Sequence, residues 1–441
     1  MKWLKRIGIA LVVLLVIAAA IPFFVKLDDF IPRIEREAFA KLKEPVTVKS
    51  LKFSMLPVPH INVDGISVGK TQDVTLGTVT VTPAVLSLLS ATKVIRSIEL
   101  KSLVLTQKAL DKIPVWSKTE RTDASPLIRI ESIRLDDALI KLDKNSFGPF
   151  DARVTLDSQG EPLEALITTQ DGKLKASIKP DKSNYLIDAA AKGWKPPVGP
   201  PIEFDELIIK GVATLNNADF SQISAKLYGG TVNGKGTAAW QKGLQVKGNF
   251  DINQVELKSL VPLVSPGTKM SGRLNAKPVF STSAADAAQL LNALHLETPF
   301  NVQNGILHGI DIQKAATNLL TKGPTGGETH FDQLSGHVVR DRGAHKFTDL
   351  KIASGALAAE GAVNISAKQE LSGRVNAQVK AVGTSANIPL NVAGTVQSPL
   401  LYPTGGALTG AAIGTVLAPG VGTGVGAKMG QAIEGLFNKK N

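Results

Sequence analysis

The side chains that most often carry out catalysis or bind metals are sparse in this sequence. The chain of 441 residues has no cysteine, which excludes a thiol nucleophile, an iron–sulfur cluster, a thiolate zinc site and any disulfide. Its histidines form neither an i, i+4 pair nor an HExxH pattern, so we predict no metal site. They are His60, His295, His308, His330, His337 and His345.

One segment partly matches a phosphate-binding loop. Residues 229–235 read GGTVNGK, but Gly236 follows where a magnesium-binding hydroxyl would be required. The flanking segments ISAKLYGG and GTAAW alternate like the strands of a hairpin, whereas a phosphate-binding loop joins a strand to a helix. No G-x-S-x-G motif occurs either. We therefore expect no catalytic residues, no cofactor and no enzyme activity.

The net charge of +12 and the isoelectric point near 9.6 raise the question of a nucleic-acid partner. The basic residues are scattered, without a run of five cations and without interleaved aromatic residues. This distribution favours diffuse attraction to anionic lipid headgroups, so we predict no nucleic-acid binding.

The N-terminal segment predicts a membrane anchor. Residues 7–25 contain no charge, and nineteen residues are about enough to cross a ~30 Å hydrocarbon core as a helix. Lys2, Lys5 and Arg6 precede the segment, so the positive-inside rule places everything after Lys26 outside the cytosol. The alternative is a cleaved signal peptide ending near Ala18–Ala20.

Beyond the anchor, the pattern predicts one short helix and then mainly β-structure. Asp28 or Asp29 is expected to cap this helix, which tolerates Pro32 in its first turn. Alternating segments such as VTVKSLKFS, HINVDGISV and LGTVTVT then indicate strands. Helical periodicity returns only at Pro83–Ser90, Val255–Val264, Ala284–Leu296 and Asp311–Leu320.

Three segments that begin at Ile95, Ile128 and Phe204 resemble one another and are interpreted as strand–turn–strand units of a repetitive sheet. Four prolines between Pro196 and Pro201 suggest a domain boundary near residue 200. The predicted domains are an anchor (1–26), an N-terminal β-domain (27–200), a C-terminal β-domain (201–404) and a glycine-rich helical tail (405–441). The tail either packs on another helix, enters a membrane or plugs the sheet.

The order of these features resembles the AsmA family, whose relatives include TamB and the bridge-like lipid-transfer proteins. The resemblance rests on PVTVKSLKFSMLPVPHINVDGISV, on the tyrosine–glycine–glycine hairpin at Tyr228 and on NGILHGID with a helix after it. FDQLSG and the closing IPLNVAGTVQSPLLYP complete the order. One departure is DKIPVW, which ends at Trp116 in place of the glycine–asparagine–tryptophan stretch seen in many members.

The resemblance implies an elongated, curved, antiparallel-rich β-sheet preceded by one transmembrane helix. Its apolar face would form a groove in which phospholipid travels between the inner and outer membranes. The expected location is the inner membrane, through residues 7–25, with the bulk of the chain in the periplasm. Outer-membrane or envelope proteins are further candidate partners.

Groove residues are predicted where apolar side chains alternate with polar ones, and their alternative role is ordinary core between packed sheets. The candidates are Leu207, Ile209, Leu215, Val375, Val379, Ile388, Leu390 and Val392. Two other functions stay open. The chain could assist outer-membrane protein assembly by β-augmentation, or it could be an envelope hydrolase whose site only the fold would reveal.

Overall fold

The computed structural model describes residues 27–116, 128–141, 146–197, 199–241, 243–265, 267–285, 289–317, 326–355, 357–381 and 384–404. The chain forms two compact units, residues 1–192 and 193–441. The predicted anchor at residues 7–25 and the glycine-rich tail at 405–441 lie outside the described residues. Among the helices that are described, none has the length and apolar character needed to cross a membrane.

The described part of the first unit is mainly β. A 3-10 turn, Leu27–Phe30, leads into helix α1, Ile31–Leu42, and helix α2, Gln107–Trp116, follows β6. A second 3-10 turn spans Val85–Leu89. The strands are β1 (Val46–Thr47), β2 (Ser50–Ser54), β3 (His60–Val68), β4 (Val74–Pro83), β5 (Lys93–Lys101), β6 (Val104–Thr106), β7 (Ile128–Ile130), β8 (Ser132–Lys141), β9 (Ser146–Leu156), β10 (Pro162–Thr169), β11 (Leu174–Asp181) and β12 (Asn184–Trp194).

Pairing in this unit is largely antiparallel between neighbours in sequence. β3 pairs with β1, β2 and β4, and β4 pairs with β5 and β6. The order then changes, because β5 runs parallel to β7 and β8, and β6 runs parallel to β8. From β8 to β12 each strand again pairs antiparallel with the next.

The second unit contains the remaining described strands and two short helices. Helix α3 is Leu257–Val264 and helix α4 is Ile312–Thr317. The strands are β13 (Phe204–Ala213), β14 (Asn217–Leu227), β15 (Gly230–Ala239), β16 (Leu244–Glu256), β17 (Met270–Ala276), β18 (Val279–Ala284), β19 (His295–His308), β20 (Glu328–Asp341), β21 (Ala344–Ala353), β22 (Leu357–Ile365), β23 (Leu371–Ala381), β24 (Thr384–Gly394) and β25 (Pro399–Pro403).

These strands form an antiparallel meander. Each strand from β13 to β16 pairs with the next, and β16 pairs with both β17 and β18. Both of those strands also pair with β19, and the meander continues strand by strand to β25. The prediction of a mainly β, antiparallel-rich fold is confirmed.

The prediction of three strand–turn–strand units was wrong for the first two. β5 and β6 both pair with β4 and β8, so they are two parts of one strand, interrupted where Ser102 takes a positive φ of 52°. β7 and β8 likewise both pair with β5. After a β-bulge a strand can continue to pair with the same neighbouring strand. The alternation of apolar and polar residues alone does not distinguish such a bulge from a turn between two strands.

The helix predictions were correct at three places and wrong at one. Helices α3 and α4 and the 3-10 turn at Val85–Leu89 occur where periodicity indicated them. The predicted helix at Ala284–Leu296 has the wrong bounds, because Ala284 ends β18 and β19 begins at His295. Between them the Ala293 N–H donates to the Gln289 carbonyl oxygen at 3.1 Å, and residues 286–288 lie outside the described residues. Helix α2 was not predicted, and Gln107 begins it directly after β6.

Helix α1 is positioned by contacts that differ from the predicted cap. Phe30 occupies the N-cap position without a side-chain hydrogen bond. Asp28 instead accepts a hydrogen bond from the Leu51 backbone N–H at 2.9 Å, and Glu35 accepts one from the Val48 N–H, also at 2.9 Å. Both carboxylates therefore bind backbone groups of the β1–β2 region and hold the helix against the start of the sheet.

A buried ion cluster attaches helix α2 to the same end of the first unit. The Lys112 Nζ lies 2.8 Å from Asp73 and 2.7 Å from Glu44, and Asp73 is only 3 % exposed. The hydrogen bond from Lys112, and then the one from Thr71, lower the pKa of Asp73. The carboxylate is thus ionised when folded, and its contribution to stability is lost as the pH falls through its lowered pKa.

We predict that Lys112→Met lowers the melting temperature of the first unit at pH 7 by roughly 3–8 °C, because Asp73 then keeps its charge without a cation. The difference from the wild type should shrink as the pH falls through the lowered pKa of Asp73 and disappear below it, where the carboxyl group is protonated in both proteins. Circular dichroism melts of the full chain measure this. Equal melting temperatures at pH 7 would show that the cluster does not stabilise the unit.

Candidate functional site

In the first unit, one face of the sheet is covered with apolar side chains. Residues directly opposite each other on neighbouring strands share a face, so the strand register identifies two apolar rows that cross nine strands. The first row is Leu51, Val63, Val79, Leu100, Leu135, Ala152, Ile167, Ala176 and Ala189. The second row is Phe53, Ile61, Val81, Ile98, Ile133, Val154, Ala165, Ile178 and Ile187.

The row between these two points to the opposite face and is polar except for Leu166. It runs Lys52, Asn62, Thr80, Glu99, Arg134, Arg153, Leu166, Ser177 and Asp188. Its neighbour Asp64 binds Lys52 at 3.3 Å. Burial alone would raise the pKa of Asp64, but hydrogen bonds from Thr78, Lys52 and Ser50 lower it. The sheet is therefore apolar on one side and hydrated on the other.

The second unit repeats this arrangement across twelve strands. Its central row contains only apolar residues and glycines, and we call the side on which it lies the apolar face. The row is Leu207, Ala225, Val232, Ile252, Ala276, Phe300, Gly336, Leu350, Gly361, Val375, Leu390 and Pro403. An unbroken row of this kind needs either a packed partner layer or an apolar ligand to cover it.

A cavity of about 490 Å³ lies on this apolar face. Ile252, Phe300, Leu350 and Val375 contribute to its floor, and Leu257 and Val261 of helix α3 line one side. Its volume falls within the range of roughly 300–1,000 Å³ that is typical of small-molecule sites. Its lining is almost wholly hydrocarbon, so the arrangement suits an apolar ligand.

Glycines let large side chains lie flat on the apolar face. A Cβ at Gly248 would approach the Phe280 ring within 2.8 Å, and one at Gly336 would lie 2.9 Å from Leu350. Phe250, opposite Gly234, stacks on Phe280 at a centroid distance of 5.8 Å. Large side chains pack over the glycines of neighbouring strands and therefore lie along the sheet surface and do not project from it.

Helix α4 covers one end of the apolar face and encloses a compact core. Ile312, Ala315 and Ala316 of this helix pack on Ile388 and Leu390. Both of these strand residues are almost completely buried, Leu390 at 0 % exposure. This end of the face is therefore closed, while the rows farther from the helices are only partly buried.

The predicted groove residues have different surroundings. Leu207, Val375 and Leu390 share the central row, and Ile209 lies two residues along β13 from Leu207. Ile388, Leu390, Val375 and Val392 all belong to the buried core beneath α4, and the two valines also line the cavity.

Of the two remaining candidates, one lies outside the strands. Leu215 lies in the turn between β13 and β14 and is 77 % exposed. The alternation of side chains between the two faces ends with the strand, so it does not assign Leu215 to either face. Val379 belongs to β23, and the placement of its side chain is outside the described part of the structure.

Sequence reasoning missed the two polar residues at the end of the apolar face that is farther from the helices. Arg340 of β20 and His345 of β21 are directly opposite each other, between Leu296 and Ile365. Burial, and then the charge of Arg340, lower the pKa of His345. Strand alternation assigns both residues to the apolar face, which was the signal that could have identified them.

The described residues contain no group of three or more histidine, aspartate or glutamate side chains placed to hold a metal ion. Two histidines share one carboxylate, since His308 lies 2.8 Å and His330 3.4 Å from Glu328, and His337 contacts Glu297 at 3.0 Å.

A sequence model of the AsmA family matches residues 207–350. This region of the chain belongs to the AsmA family. The matched region runs from β13 to β21 and contains much of the cavity lining. No curated protein and no solved structure matches the chain significantly. The match to the AsmA family thus rests on the second unit. The first unit resembles the second in having a sheet that is apolar on one face.

If the cavity of this AsmA-family chain is open and the region under α4 is packed core, truncations at the two places should differ in cost. We predict that Leu390→Ala lowers the free energy of unfolding by about 2–5 kcal/mol. Val363→Ala, in the partly buried cavity lining, should cost less than about 1 kcal/mol. Urea unfolding followed by circular dichroism measures both. Equal costs would show that the cavity region is closed core.

Proposed function

We propose that this chain carries phospholipid along its apolar faces between the inner and outer membranes and so maintains the outer membrane. It would be anchored in the inner membrane through residues 7–25, with the two units in the periplasm. The observation that carries the proposal is the pair of one-sided sheets, each with unbroken apolar rows, together with the hydrocarbon-lined cavity of about 490 Å³.

The physical difficulty of lipid transfer is exposure of acyl chains to water, which costs about 0.8 kcal/mol for each CH₂ group. A chain of roughly sixteen carbons would therefore lose more than 10 kcal/mol in water. An apolar face of similar polarity to the bilayer interior removes most of this cost. Because neighbouring positions along a row are chemically alike, a lipid can move from one to the next without a large barrier.

The polar faces of the two sheets also support the proposal, because they carry charged side chains that are exposed to water. In the first unit the polar row contains charges of both signs, and Lys52 and Arg134 form ion pairs on that side. In the second unit Lys226 pairs with Glu206 at 2.9 Å. A lipid on the polar side would have to displace hydrated charges, which is unfavourable. Binding is therefore restricted to one side of each sheet.

Val363→Asp tests the cavity directly. A carboxylate among hydrocarbon side chains is strongly unfavourable for acyl-chain binding, so the phospholipid that copurifies with the full chain should fall at least fivefold. The matched control is Asn364→Asp, which puts the same charge one residue away on the opposite, exposed face of β22. Quantitative mass spectrometry of the solvent extract measures bound lipid. A wild-type chain without lipid would favour the assembly-factor function instead.

A photo-crosslinker distinguishes the two faces of the first unit. We predict that p-benzoylphenylalanine in place of Ile187, on the apolar face, forms lipid adducts in cells after irradiation. The same group in place of Leu186 should not, although Leu186 is the adjacent residue and is 44 % exposed on the polar face. Mass spectrometry of the purified chain detects the adducts. Equal crosslinking at both positions would mean that contact with lipid is nonspecific.

A further inference from the structure

Two ionisable residues interrupt the described apolar face of the second unit, and they lie next to each other beside the cavity. Arg340 is two residues beyond Val338 on β20, and His345 is two residues before Phe347 on β21. Val338 and Phe347 both line the cavity. Because side chains two apart on a strand point the same way, about 6.6–6.8 Å apart, the guanidinium and the imidazole lie at the margin of the cavity.

Hydrocarbon surrounds this pair on both sides. Arg340 is in register with Leu296 of β19, and His345 is in register with Ile365 of β22. Both neighbours line the cavity as well. The charged residues nearest in sequence, Asp341 and Lys346, belong to the opposite face by alternation. Asp341 there lies 3.6 Å from His295.

Arg340 has no acidic partner among the described residues. Its Nη2 donates a hydrogen bond to the Leu291 backbone oxygen at 2.9 Å, which positions the guanidinium in front of the turn that precedes β19. Other basic side chains of the described residues, such as Lys226 and Arg134, form ion pairs with carboxylates. The remaining N–H groups of Arg340 are therefore available to an anion from outside the protein.

His345 adds a second unfulfilled polar group at the same place. Its Nδ1 is buried and has no hydrogen-bond partner in the described structure. Its ring lies nearly parallel to that of Phe347, at 17°, with centroids 6.4 Å apart. Buried polar atoms are rarely left without a partner, and those that are invite a functional explanation. A neutral imidazole in this position can donate one hydrogen bond to an oxyanion.

We propose that Arg340 and His345 bind the phosphate of a phospholipid whose acyl chain occupies the adjacent cavity. This inference rests on the proposed function and assigns the headgroup position within it. Guanidinium groups bind phosphate oxygens through paired N–H donors, and the positive charge complements the phosphate. The surrounding Leu296, Val338, Phe347 and Ile365 identify the bound molecule as an amphiphile, because a free anion would leave that hydrocarbon surface uncovered.

The test compares phospholipid bound per full-length chain by mass spectrometry. Arg340→Gln should reduce bound phospholipid at least fivefold, because it removes the charge but keeps a similar side-chain length. Arg340→Lys should retain an intermediate amount, and His345→Phe, which keeps the stacked ring, should reduce binding about twofold to threefold. Arg342→Gln is the matched control, since Arg342 lies in the exposed turn between β20 and β21. Circular dichroism confirms that each variant is folded.

The outcomes separate this proposal from the one on which it rests. Wild-type chain without lipid contradicts the proposed function. Wild-type chain with lipid, together with an unchanged amount in Arg340→Gln, overturns only the headgroup assignment. Equilibrium dialysis of the delipidated chain against radiolabelled inorganic phosphate provides the second arm. Saturable phosphate binding that depends on Arg340, without any effect of Arg340→Gln on lipid, would identify a free-anion site and also overturn the assignment.

Discussion

Strict alternation of apolar and polar residues is the constraint on which this structure depends. Because side chains on a strand alternate between faces, each strand gives one hydrated side and one apolar side, and pairing in register joins these into continuous surfaces. A shift of one residue between β2 and β3 would put Lys52 into the apolar rows, and one between β8 and β9 would do the same with Arg134. Only one register of the meander therefore places the apolar side chains of all strands on the same face. This register gives each unit one apolar and one hydrated side.

A sheet with one apolar face is stable only if something covers that face. In the first unit, Ala38 and Leu42 of α1 and Ala109 of α2 pack on a core around Val68 and Val74. In the second unit α3 and α4 do the same at one end. The helices are too short to cover the whole of either face. Several residues of the central row, such as Ile252, Phe300 and Leu350, are therefore only partly buried.

The sequence predicted the local structure well and the long-range pairing poorly. Alternation correctly identified Ile388, Leu390 and Val392 as sharing one face, because a period of two requires nothing but the strand itself. It could not distinguish the core under α4 from the cavity, since that depends on where a distant helix packs. Leu215 shows the opposite failure, because an apolar residue just past the end of a strand carries no information about a face. The parallel pairing of β5 with β8 depends on contacts between segments far apart in sequence.

Sequence patterns do not single out polar residues on an apolar face as functional candidates. In this structure, two such residues form the proposed headgroup site. A histidine or an arginine is usually taken for a solvent-facing residue, although alternation along β20 and β21 already assigns Arg340 and His345 to the apolar side, and the register of the two strands places them opposite each other. Placing a guanidinium beside hydrocarbon is unfavourable unless an anion compensates it. The ion pairs of the opposite face meet that requirement within the protein. Arg340 has no such partner among the described residues, which is why we assign its charge to the phosphate of a bound lipid.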